Sequence, residues 1–423
     1  MPTLSHLDAL EILDSRGRPT LEVLCQFDSG ARASAQVPSG ASTGTAEARE
    51  LRDADPHRHA GLGCLRAVAH VTGPIRDALL HQSFESQSQL DTTLLRLDGT
   101  PSLERLGANA VLGVSLAFAR THAAERGLPL HRHFSGLLPH TASPPRLPRP
   151  TINLFSGGKH AGGQIAIQDV LLVPLAAHTM ADALAHACAV FQAAARLVSE
   201  RYRSRTLVAD EGGLAPDFPS TETMLDDAVE AIRRTGLVPG RDIALAVDVA
   251  SSHFYHDHRY HLDGAALDSS AMIDRLAAWV ERFPIVSLED GLAEDDWDHW
   301  PLLLQRLGEN CLILGDDLLC THPERIRRAV ASHAANALLL KVNQIGTLSE
   351  AARALELARA ASWHVTISAR SGETEDHWLS DLATGWNGDH IKIGSITRSE
   401  RLSKYNRLLA IEHETAWPLA PAP

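Results

Sequence analysis

The second half of the chain alternates short apolar runs with longer amphipathic stretches, a pattern few folds satisfy. The runs are IAIQDVLLVP, LVADEGG, IALAVDVASS, IVSLED, LILGDD, ALLLKVNQ, HVTISARSG and IKIGS, with helical stretches near 181–199, 221–235 and 271–282. Strands alternating with helices predict a parallel sheet, and so many units predict a closed eight-stranded β/α barrel. An open doubly wound sheet is the alternative; against it, no strand is followed by a GxGxxG fingerprint. The first 135 residues read differently, with alternating strands at 20–26 and 31–37 and an Ala/Leu/Val-rich helix over 107–125, an α+β pattern. Five prolines between residues 139 and 150 interrupt both patterns. They set the expected boundary: an α+β domain over 1–138 and a barrel domain over 139–423.

Composition narrows the function. Of 423 residues, 39 are Lys or Arg and 52 Asp or Glu, a net charge of −13 that repels nucleic acid and anionic lipid. No apolar run is long enough to span a bilayer, and the first residues carry acids where a signal peptide is basic and then apolar, so a cytoplasmic protein is expected. Five scattered cysteines without a Cys-x-x-Cys pair suggest reduced, packed thiols. The 23 histidines lack helical ligand spacing, as in His57 with His59 or His256 with His258 and His261, and read as solvated surface. Only Lys159, Lys341, Lys392 and Lys404 are lysines, so a retained lysine is a candidate for a task that needs a removable proton. For Lys404 chance retention suffices.

Each apolar run carries a charged residue in or just after it: Asp169, Glu211, Asp248, Glu289, Asp316, Lys341, Arg370 and Lys392. Singly, an acid after a strand is more often a helix cap. In a barrel, however, all carboxyl ends open on one rim, and the set would converge. Asp248, Glu289 and Asp316 from consecutive strands would form an all-oxygen cluster of the kind Mg²⁺ takes. Lys341, after the apolar ALLL, would lie near Lys392. Desolvation and a neighbouring cation lower a lysine's proton affinity, making one of them a general base near neutral pH; a structural salt bridge is the alternative for either alone. Glu211, in DEGG, is the candidate opposing acid. Base, acid and carboxylate-bound cation are the parts needed to remove a proton beside a carboxylate and expel a leaving group from the next carbon. The loop VPSGASTG at 37–44 suits a lid over a small anion, lacks the Walker ending, and alone reads equally as a tight turn.

These residues resemble the enolase family from Leu10 to about Glu412, through ILDSRGRPTLEV, VPSGASTG, LGANAVLGVSLA, GGKHAGG, ADEGGLAP, FPIVSLED, LAEDDW, GDDL, LLLKVNQIGTLSEA, RSGETED and RSERLSKYNRLL. The resemblance implies an N-terminal domain capping a variant barrel, a homodimer, and conversion of 2-phosphoglycerate, a small phosphorylated carboxylate, to phosphoenolpyruvate. It implies that Asp248, Glu289 and Asp316 hold one Mg²⁺ and that Ser42 helps hold a second with the substrate phosphate. Lys341 would take the proton and Glu211 assist the departing hydroxyl. Lys392 would contact the substrate carboxylate, Arg370 and Ser371 the phosphate, while His160 and Gln168 line the pocket.

The chain departs from the family pattern in four places. Ala369 replaces a histidine between Ser368 and Arg370, and Asp169 replaces a glutamate after Gln168. Gly291 replaces a proline, and IKIGSIT stands for an IKTGAP-like run. These changes keep two further expectations open. One is a paralogue acting on another phosphorylated or phosphonylated three-carbon acid, somewhat like the carboxyphosphonoenolpyruvate synthases of phosphinate antibiotic pathways. The other is a catalytically silent binding protein.

Overall fold

The computed structural model describes residues 1–41, 44–138, 144–203 and 205–423. It opens on an antiparallel sheet of β1 (Leu4–Leu13), β2 (Pro19–Phe27) and β3 (Arg32–Gln36). Alternation places β2: Leu21, Val23, Cys25 and Phe27 are buried while Glu22, Leu24 and Gln26 are half-buried on the other face. β1 escaped the sequence reading because Ser, His, Asp and Glu are interspersed among its leucines. Helices α1 (Leu65–His70), α2 (Arg76–Leu79), α3 (Gln87–Asp98), α4 (Ala108–Glu125) and α5 (Leu130–Ser135) follow. α4 is buried on nearly every side, and its Phe118 packs edge-on against Phe27 and Phe84 at 5.3 and 5.9 Å between ring centres.

The barrel then forms in chain order. β4 (Arg149–Ser156) and β5 (Asp169–Pro174) come first, then α6 (Met180–Tyr202), α7 (Thr221–Arg233) and β6 (Ile243–Asp248). A small meander of β7 (Tyr255–His256), β8 (Arg259–Leu262) and β9 (Ala265–Leu267) intervenes. The remainder alternates: α8 (Ser269–Arg282), β10 (Ile285–Glu289), α9 (Trp300–Leu307), β11 (Leu312–Gly315), α10 (Pro323–Ser332), β12 (Ala337–Leu340) and α11 (Leu348–Ala360). It ends with β13 (His364–Ser368), α12 (Trp378–Gly385), β14 (His390–Gly394) and α13 (Ser399–Thr415). The closed order is β4-β5-β6-β10-β11-β12-β13-β14, eight strands as expected.

One strand breaks the predicted parallel pattern. β5 runs antiparallel to both β4 and β6. The reason lies in its connections: β4 and β5 are joined by a glycine-rich loop with no crossover helix, so the chain turns straight back. Two helices, α6 and α7, then return it to the end from which β6 starts. LVADEGG, expected as a strand, is instead the loop between α6 and α7, held against β4 by Ser156 N donating to Leu214 O at 2.9 Å. Asp169 therefore begins its strand rather than ending one, yet reversal puts it on the same rim.

The first sheet is joined to the barrel at that rim. Ser39 pairs with Gly372 in an isolated bridge, and Asp376 Oδ2 accepts from Gln36 N at 3.0 Å and from Arg120 Nη1 at 2.5 Å. The expected boundary at 139 falls among residues 139–143, outside the described residues. No described helix is long and apolar enough to cross a membrane. Cys25, Cys64, Cys311 and Cys320 are buried free thiols and Cys188 is exposed. His57, His59, His256, His258 and His261 are exposed, but His122, His131, His133, His160 and His390 are buried, so solvated surface does not describe every histidine.

Candidate active site

Asp248 closes β6 and Glu289 closes β10, paired in register; Asp316 follows β11 directly and Lys341 follows β12. Arg370 and Ser371 lie just beyond β13, and Lys392 sits within β14. A narrow cleft gathers His160, Gln168, Glu211, Asp248, Lys341, Arg370, Ser371 and Lys392, with Ala41, Ser368 and Ala369. Asp169, Glu289 and Asp316 are not part of this lining and reach it through hydrogen bonds. Ser42 lies outside the described residues.

On one side acids and lysines interlock. Lys392 Nζ donates to Asp248 Oδ2 at 2.8 Å and to Glu289 Oε1 and Oε2 at 2.8 and 2.7 Å. Lys341 Nζ donates to Asp316 Oδ2, whose partner oxygen accepts from Gln344 Nε2 at 2.8 Å. Burial alone would lower both lysines, but Asp248 and Glu289 hold Lys392 well above its ordinary range, and Asp316 raises Lys341. The lowered lysine expected from sequence is thus corrected for the arrangement described: neighbouring carboxylates outweigh desolvation. Glu289 shows the complementary strain, pushed well above the usual carboxylate range by burial and by Asp248. Burial also opposes ionisation of Asp248 and Asp316, yet Lys392 and Lys341 respectively keep each below its ordinary value.

Potential ligand atoms of two trios lie within 4.8 Å of one another among the described residues: Asp290 with Asp316 and Asp317, and His160 with Asp169 and Glu211. The expected trio of Asp248, Glu289 and Asp316 is not so closed, because ammonium groups stand among its carboxylates. Asp290 was missed by the sequence reading. It accepts from the backbone N of Asp316 at 3.0 Å and of Asp317 at 2.8 Å, folding the acidic turn, and the only sequence signal was the doubling of acids in LED and GDD.

The opposite side is a hydrogen-bonded line. His160 Nδ1 lies 2.8 Å from Asp169 Oδ2, and Ser156 Oγ donates to Asp169 Oδ1 at 2.5 Å. His160 Nε2 is 3.8 Å from Glu211 Oε1, and Glu211 Oε2 accepts from Asn153 Nδ2 at 3.1 Å. Burial would lower the imidazole, but Asp169 and Glu211 push it up to about 9. Gly212 sets Glu211: its φ of +88° is open to glycine, and a side chain there would strike Thr397 Oγ1.

At the mouth, Arg370 Nη1 donates to Glu47 Oε2 at 3.0 Å and to Asn343 Oδ1 at 3.2 Å. Ser371 Oγ accepts from Ala41 N at 2.7 Å and from Arg16 Nη1 at 3.2 Å. Gly40 lies so close to Arg370 that any side chain there would collide with the guanidinium. Arg401, wholly buried, donates to the carbonyls of Arg370 and Ser371 at 2.7 and 2.6 Å and fixes their backbone. Glu47, Asn153, Ser156 and Arg401 were not foreseen, since each acts through a partner distant in sequence.

A closed barrel with acids and lysines on its carboxyl rim and a small domain over its mouth defines an α/β-barrel protein with a charged cleft and acidic clusters that could hold a metal ion. The family model "Enolase, N-terminal domain" matches residues 4–134, and "Enolase, C-terminal TIM barrel domain" matches residues 145–418. The chain belongs to the enolase family.

Proposed function

We propose that the protein is a Mg²⁺-dependent lyase that removes the α-proton of a small phosphorylated carboxylate and eliminates its β-hydroxyl, with 2-phosphoglycerate as substrate and phosphoenolpyruvate as product. The observation carrying this reading is the opposition, across one buried cleft, of Lys341 to Glu211 and His160. Asp248, Glu289 and Asp316 suit a hard divalent cation: all donors are oxygen, all are buried, and burial together with the neighbouring Asp248 charge drives Glu289 toward protonation. Ser42 would join a second ion. When bound, the cation would offset the carboxylate charge that keeps the lysines protonated and stabilise the enolate charge developing beside it.

In this reading Lys341 Nζ accepts the α-proton, and Glu211 faces the leaving hydroxyl. Lys392 pairs with the substrate carboxylate, and Arg370 and Ser371 meet the phosphate, with Gln168 and His160 shaping the wall. We place the enzyme in the cytoplasm as a homodimer. The test is α-proton exchange in D₂O with Mg²⁺, alongside product formation from 2-phosphoglycerate. Both are expected, and absence of both overturns the proposal.

Ala369 and Asp169 favour a second reading. Ala369 presents only a methyl group to the cleft, and Asp169 is drawn into bonds with His160 and Ser156, so the wall differs where the family pattern places a histidine and a longer acid. A related phosphonylated three-carbon acid would then be the true substrate. Exchange with that acid but not with 2-phosphoglycerate would decide for it, as would a gain in 2-phosphoglycerate turnover by Ala369→His with Asp169→Glu. A silent binding protein would exchange neither.

A further inference from the structure

The polar run between β6 and α8 scatters three histidines along the sequence, and folding brings two of them together. β7 and β8 pair with Tyr255 opposite Tyr260 and His256 opposite Arg259, joined by the two residues Asp257 and His258. Both of these have positive φ, 51° and 58°, the combination whose twist matches a tight hairpin, so the register is set by the turn. Side chains then alternate between two faces: Tyr260 and Leu262 are buried on one, while His256, Arg259 and His261 are exposed on the other.

His261 stands two residues beyond the residue opposite His256 and is its diagonal neighbour on that face. The two imidazole centres are 6.1 Å apart, with ring planes inclined by 30°. Neither ring has a hydrogen-bond or ion-pair partner among the described residues. Arg259, the cation sharing the face, is drawn toward Asp268, with Nη1 3.8 Å from Oδ2. The support beneath the pair is fixed: Tyr260 Oη donates to Asp296 Oδ2 at 2.7 Å and accepts from Ala293 N at 3.0 Å, which ties the hairpin to the loop after β10.

An imidazole nitrogen sits about 2.0–2.1 Å from a zinc ion, so two rings on one ion have centres roughly 5 Å apart at a tetrahedral angle and about 6 Å apart at wider angles. The observed spacing falls at the wide end, within reach of a small side-chain rotation. Two imidazole nitrogens without a carboxylate between them suit zinc, nickel or copper rather than magnesium, the reverse of the oxygen donors in the cleft. We propose that His256 and His261 form a surface site for one such transition-metal ion, with water in its remaining positions. The site is separate from the cleft and independent of the reaction proposed above.

Calorimetric titration of the full-length protein with Ni²⁺, in a large excess of Mg²⁺, tests the assignment. The wild type should show a binding step that weakens at least about tenfold in His256→Gln and equally in His261→Gln, with little further loss in the double variant, because one imidazole alone does not chelate. Any Ni²⁺ held elsewhere is common to all variants and cancels in the comparison. His258→Gln should stay within about twofold of the wild type, since that ring lies against Tyr255, 6.5 Å between centres. All three substitutions are at exposed positions, and equal urea midpoints without metal would confirm that each variant folds. In NMR spectra, small additions of Ni²⁺ should broaden the ring signals of His256 and His261 before those of other histidines. A wild type without such a step, binding that survives both substitutions, an equal loss in His258→Gln, or broadening that begins at other histidines would each overturn the proposal.

Discussion

Two of the four lysines show how one residue type can serve opposite ends. Lys404 is wholly buried, donating to Thr374 O at 2.9 Å and to Glu400 O at 3.0 Å and pairing with Glu373 at 3.0 Å, so it is a structural element rather than a leftover of composition. Lys404→Met leaves Glu373 buried without its cation and should cost about 3–5 kcal/mol in urea unfolding. Lys341→Arg keeps the charge beside Asp316 but puts a guanidinium, which cannot lose its proton, where a base is needed. It should fold normally and lose α-proton exchange by at least about a hundredfold. Sequence pointed to Lys341 because lysines are scarce in this chain and this one follows an apolar strand whose end opens on the barrel rim. It could not point to Ser156 or Glu47, whose meaning depends on Asp169 and Arg370 brought beside them.

Among the elements, the loop carrying Glu211 departs most from what its sequence suggested. An apolar start made LVADEGG look like a strand, but its two glycines and the ties to β4 bend it into a loop. Thr397 Oγ1 donates to Gly212 O, and Ser395 N to Glu211 O, each at 2.8 Å. Gly212→Ala, strained at positive φ and pressed on Thr397, should destabilise the fold by more than about 1 kcal/mol and also depress elimination, read by unfolding and by kcat on the same sample. Thr347 provides the contrast. Its hydroxyl caps α11 by accepting from Glu350 N at 3.2 Å, and Thr347→Ala should cost about 1 kcal/mol in the unfolding midpoint with kcat unchanged.

For the molecule as a whole, histidines withdrawn from solvent contribute to the response to acid: His133 and His390 are buried and His253 is half-buried. Burial lowers His133, His253 and His390 to about 4 each, below the value of about 6.5 of an unfolded histidine. The unfolded chain therefore binds these protons first. Their stabilising contribution is complete above pH of about 6.5 and declines as pH falls toward 4. Asp317, Asp290 and Glu289, raised mainly by burial and then by neighbouring acids, gain stability in the opposite sense as pH falls. The expected outcome is therefore a difference: between pH of about 6.5 and 4 the urea midpoint of His133→Phe should fall less, or rise more, than that of the wild type. Asp381 adds a later loss: burial would raise it, but bonds from Arg407 and His131 hold it far below the usual carboxylate range, so its contribution fades only as pH falls below about 4.

Local patterns were enough for the barrel, for seven of its eight strands and for most of the acids and lysines on its rim, because strand periodicity and the polarity switch at strand ends are properties of neighbouring residues; β4 was not among the expected runs, and LVADEGG stood in its place. The reversal of β5, the ammonium groups lodged among the carboxylates and the line from Ser156 to His160 were beyond such reading. They arise from contacts between segments far apart in the chain, where burial and opposing charge, absent from any local stretch, determine which proton is held and which way a side chain faces.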